Sequence, residues 1–129
     1  MSLVSDPRGV SGDPSFAGMQ VTATVLAGAA ITANMAVALV MATDGNMTAI
    51  PFDTDAHATG YPMAVAPNAI ADTEFGYVVC FGPVVVNTPA TGPSIGEVVV
   101  GTTTGWTVDG AAADATTVVG TTHGYFITD

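Results

Sequence analysis

From Val21 onward the apolar side chains of this chain recur at every second position, and glycine or proline cuts each run after a few residues. Successive side chains of a strand point to opposite faces, so this period commits the chain to half-buried β-strands. Val21, Ala23 and Val25 alternate with Thr22 and Thr24 ahead of a turn at Gly28. Val37, Leu39 and Met41 form the next alternation, and Asp44-Gly45-Asn46 supplies a hairpin turn into a return strand over 47–50, stopped by Pro51. Further strands are predicted over 61–66, 75–81, 84–86, 95–100, 106–108, 116–119 and 125–128. Residues 52–60 and 87–94 read as loops.

The alanine-rich stretch 29–42 tests this reading, because alanine favours helices. Ile31, Val37 and Val40 are β-branched and stand in short alternations bounded by turn residues, which favours strand. Many short strands between Gly and Pro turns predict an all-β fold, a compact small barrel or sandwich of short strands. There is also an internal echo. Gly28, Ile31, 37–40 and Gly45 repeat in outline as Gly92, Ile95, 98–100 and Gly105, which suits either a duplicated hairpin or the common grammar of β proteins.

Residues 1–18 lack an apolar period and carry Pro7, Gly9, Gly12, Pro14 and Gly18. They read as an extended, flexible N-terminal arm ahead of a single β domain over 19–129. The arm is either a frayed terminus or a docking segment, with Arg8, Val10 and Phe16 as its partner-binding residues. It has no basic stretch followed by an apolar one, so no signal peptide is expected. Residues 14–43 contain no charged side chain, yet Gln20, four threonines, Gly28 and Asn34 interrupt them without flanking Lys or Arg. A membrane span is therefore not expected there.

Charge narrows the function. Eleven Asp and Glu face one Arg and no Lys, giving a net charge of -10. Nucleic-acid binding draws its affinity from basic groups on phosphates, and anionic membranes attract the same groups, so neither is an expected partner. Only 9% of residues are charged while 49% are hydrophobic, which predicts apolar area covered by an oligomer or a docked partner. Cys80 is the sole cysteine, so no intramolecular disulfide forms.

Residue patterns that could carry chemistry are sparse. Asp53, Asp55 and His57 alternate, with Asp72 and Glu74 downstream. In a strand the first three would share a face and could gather a cation, but a solvated loop that places its charges outward is the favoured reading. Cys80 lies in an apolar strand and reads as a small hydrophobe, not a nucleophile. Ser94 falls in Gly-x-Ser-x-Gly, but a strand-like run follows it where a nucleophile elbow needs a helix. No phosphate loop, dinucleotide fingerprint or zinc spacing is present. The residues thus predict a binding protein rather than an enzyme, with no cofactor and no metal.

The run from Gly28 to Val40, followed by Gly45, Ile50-Pro51, 60–66 and 76–84, resembles the small phage head proteins known as capsid cement or decoration proteins. Those combine a Gly-x-x-Ile turn, an apolar strand, a Pro-ended strand, a Val-Ala strand and a last strand ending in Gly-x-Val. The likeness covers about residues 25–86, with a weaker repeat over 92–127. Asn34 stands where that pattern has Gly, Tyr61-Pro62 replaces Val-Gly, and Glu74-Phe75-Gly76 reorders a Gly-Glu. The resemblance implies a structural protein made in the host cytoplasm. It would attach, usually as a homotrimer, to the major capsid protein on the outer face of the virion head. A reading from another class is a carbohydrate- or receptor-binding module of a phage tail or head fibre, which would expose Trp106, His123 and Tyr125 as an aromatic patch.

Overall fold

The computed structural model describes residues 20–90, 92–111, 124 and 127. The arm, with Arg8, Val10 and Phe16, lies outside the described residues, as do the strands predicted over 116–119 and 125–128 apart from Ile127. Strands β1 (Val21–Ala27), β2 (Met35–Met41), β3 (Met47–Pro51), β4 (Met63–Ala66) and β5 (Phe75–Phe81) close into a barrel in the order β1-β3-β2-β4-β5. All pairings are antiparallel except β1 with β3. A separate hairpin joins β6 (Val98–Gly101) to β7 (Val108–Ala111).

Barrel width rises with strand number, so five strands enclose little room. The interior is accordingly filled by small or branched side chains: Val25, Val37, Ala49, Ala64, Ala66 and Val78, among others. This is why the alanine-rich segment becomes strand. Its Ile31 and Val37 enter that interior, and Ala36 and Ala38 on the opposite face of β2 sit under a second layer. Ile31 and Ile70 bridge one end of the barrel through reciprocal backbone hydrogen bonds of 2.8 Å.

Asn34 has a left-handed backbone, φ 65°. Glycine and asparagine both tolerate that conformation, which explains how asparagine can occupy this turn. In the β2–β3 hairpin the Asp44 carboxylate accepts bonds from the Asn46 backbone N–H at 3.0 Å and its side-chain amide at 3.1 Å. These bonds, the backbone one foremost, hold the Asp44 pKa below its usual value.

The structure corrects several boundaries. Residues 52–60 are not a loop: α1 (Thr54–Thr59) forms there. Asp53 accepts from the Ala56 N–H at 2.8 Å as N-cap, and Gly60 ends the helix at φ 83°. That pairing satisfies orphan backbone groups at both ends. Residues 84–86 form no strand. Their segment instead crosses between layers: Asn87 donates its N–H to the Asn34 carbonyl at 2.8 Å and accepts from the Val108 N–H at 3.1 Å. β3 includes Pro51, and β4, β6 and β7 begin two or three residues later than their patterns suggest. The charge-free stretch 14–43 contributes β1 and β2, and among the described residues no helix is long and apolar enough to cross a membrane.

Phe52, Ala56, Val99 and Val108 pack on Ala36 and Ala38 to make a second core between the barrel wall, α1 and the hairpin. One side of the barrel is thereby covered. The β1–β5 side carries exposed aromatic residues.

Candidate functional site

β1 and β5 pair over six positions, with Thr24 opposite Tyr77 and Leu26 opposite Phe75. Val25 and Val78 belong to the interior, so their neighbours Thr24 and Tyr77 face outward. Phe75 is 61% exposed and Tyr77 48%. At the other end of the ribbon Val21 pairs with Phe81, and these are 56% and 72% exposed. The usual arrangement of large apolar groups inside and small ones outside is reversed on β5. The narrow interior accepts Gly76 and Val78, which leaves Phe75 and Tyr77 on the surface. The Asn68 side-chain amide donates to the Tyr77 hydroxyl at 2.9 Å.

Between Val21/Phe81 and Thr22/Val79 the register shifts, so Cys80 is the extra residue of a bulge. A small hydrophobe in an apolar strand is thus not packed inside. The bulge turns the residue outward and it is exposed, while partial burial of the sulfur pushes the thiol pKa up.

Asp53, Asp55 and His57 do not share a face as they would in a strand. Asp53 caps α1, Asp55 is exposed, and His57 turns into the second core with only 4% exposure. Its ring meets Phe52 edge-on, with centroids 5.7 Å apart and planes at 70°. Burial lowers the His57 pKa, because the charged form loses hydration. Among the described residues no group of three or more His, Cys, Asp or Glu is placed to hold a metal ion. An open hollow beside α1 is lined by Thr54, Asp55, His57, Ala58 and the ends of β6 and β7.

Ser94 stands at the start of a tight turn in which the Glu97 N–H bonds its carbonyl at 3.2 Å, and β6 follows instead of a helix. Trp106 is partly buried and packs on the barrel core, and its carbonyl accepts from the Ala36 N–H at 3.0 Å. It is therefore a packing residue; His123 and Tyr125 lie outside the described residues. The exposed aromatics that the structure does bring together, Phe75 and Tyr77, were absent from the residues singled out by pattern. Their signal was the alternation of aromatic with Gly or Val in 75–78.

No protein-family model matches the chain, and neither the curated proteins nor the solved structures searched contain a match.

Proposed function

We propose that this chain is a structural virion protein: a capsid decoration, or cement, protein that binds the outer surface of the mature phage head and stabilises it. The observation that carries the reading is an exposed aromatic face on the β1–β5 ribbon of an acidic barrel with a single Arg and no Lys. An apolar face of this kind suits protein contact. The net charge of -10 keeps the free protein soluble and away from packaged nucleic acid. The sequence resemblance to capsid cement proteins points the same way and supplies the partner, the major capsid protein, and the homotrimeric arrangement.

The mechanism is a clamp. A protein that binds only the expanded lattice stabilises that state by mass action, without chemistry and without a cofactor. Arg8, Val10 and Phe16 of the arm add contacts to a neighbouring subunit. The protein is made in the host cytoplasm and joins the outside of the head after expansion.

The test is addition of purified protein to expanded and to unexpanded heads. Binding confined to expanded heads, with a raised temperature of head disruption, supports the reading. Equal binding to both forms, or unchanged head stability at saturation, contradicts it.

A further inference from the structure

We infer that the outer face of the β1–β5 ribbon is the docking surface, and that its occupant is a protein surface with apolar sockets bordered by Lys or Arg. The inference rests on the capsid reading and deepens it by stating the chemistry of the partner surface that this face takes.

The face is shaped and ordered before any partner arrives. Phe75 and Tyr77 stand two residues apart on one strand, so both rings project from the same side. Leu26 and Thr24 lie directly across from them. The ladder fixes the backbone, and Asn68 holds the Tyr77 hydroxyl. Aromatic anchors ordered before binding lose little entropy when a partner arrives.

The charge beside this face calls for a basic complement. Asp72 and Glu74 are exposed in the turn that leads into Phe75. The chain holds one Arg and no Lys against eleven carboxylates, so most of these carboxylates have no cation within their own chain. A second copy would bring the same acidic turn and the same lack of Lys. Anionic lipid and nucleic acid repel this surface. Basic side chains around an apolar socket complement the aromatics and the carboxylates together.

The test uses the full chain, expanded heads and two sets of substitutions: Phe75→Ser with Tyr77→Ser, and Asp72→Asn with Glu74→Gln. Circular dichroism and melting temperature first establish that both variants are folded. The expected result is a loss of head affinity of roughly tenfold or more for the aromatic pair. For the charge pair a smaller loss is expected, with a flatter dependence of affinity on salt. Wild-type binding with both variants unchanged would overturn the docking face, while head attachment itself would still stand through another surface. Failure of the wild type to bind heads would overturn both. Concentration-dependent self-association lost only in the aromatic variant would assign the face to a second copy and overturn the basic partner.

Discussion

The side-chain amide of Asn68 donates a 2.9 Å hydrogen bond to the hydroxyl of Tyr77, and both residues are exposed on the barrel surface. A bond between exposed groups adds little to stability, because water offers each partner a substitute. Its effect is to hold the ring in place. Asn68→Ala is therefore expected to change unfolding free energy by no more than about 0.5 kcal/mol in urea. The same variant is expected to weaken attachment to expanded heads by roughly threefold, since Tyr77 must then be ordered on binding.

Asp53 fixes the start of α1 by accepting the Ala56 N–H. Asp53→Ala leaves that donor without its cap. The expected cost is about 1 kcal/mol, read as a lower urea midpoint with an unchanged slope. Asp53→Asn or Asp53→Ser keeps an acceptor and is expected to restore most of the loss.

The hairpin meets the N-cap of α1 at Gly101, where an added Cβ would lie 2.6 Å from the Asp53 carbonyl carbon and even nearer to its oxygen. The obstacle is backbone, which cannot swing aside as a side-chain tip can. Gly101→Ala is expected to destabilise the protein by about 1–3 kcal/mol. Hydrogen exchange should rise first in β6 and β7, while the β1–β5 amides keep their protection.

His57 gives stability a sign with pH. Burial places its folded-state pKa below the ordinary 6.5, so the unfolded chain binds this proton more readily. Stability from this group is complete above pH 6.5. It falls as pH drops from there toward the lower folded-state value, below which the loss is fully expressed. Melting curves at pH 7.5 and pH 5 for wild type and His57→Gln isolate it from the carboxylates. The wild type is expected to lose more between the two pH values than the variant.

Cys80 is exposed at its bulge, yet its thiol pKa is raised above the ordinary 9.0. Alkylation by iodoacetamide is expected to proceed on the folded protein, slowly at neutral pH and faster as pH rises past 9, because the thiolate is the nucleophile. Reaction only after denaturant is added would contradict the exposed bulge.

The barrel is legible because its strands are short apolar runs, alternating with threonine in β1, and its turns carry Gly, Pro and Asp-Gly-Asn. β5 matches its pattern end to end. α1 was missed, although Asp53 and Gly60 flank it with ordinary start and stop signals. A six-residue helix has too few turns to display a 3.6-residue period, and its Asp, Thr and His content resembles a loop. Residues 84–86 failed for the opposite reason. Three valines favour strand locally, but here Val86 packs into the second core without a ladder partner. Cys80 could not be placed because a bulge depends on the register between β1 and β5, which neither strand encodes alone. The exposed Phe75 and Tyr77 needed knowledge of barrel width: in a wider barrel the same alternation could have placed the rings inside.

The central claim is attachment to the capsid at many equivalent sites, and the copy number of this chain in purified virions tests it most directly. Quantitative mass spectrometry after digestion with chymotrypsin or Asp-N is suited to it, since Arg8 is the chain's only tryptic site. The account predicts a copy number close to that of the major capsid protein. A handful of copies per particle, or none, would contradict it.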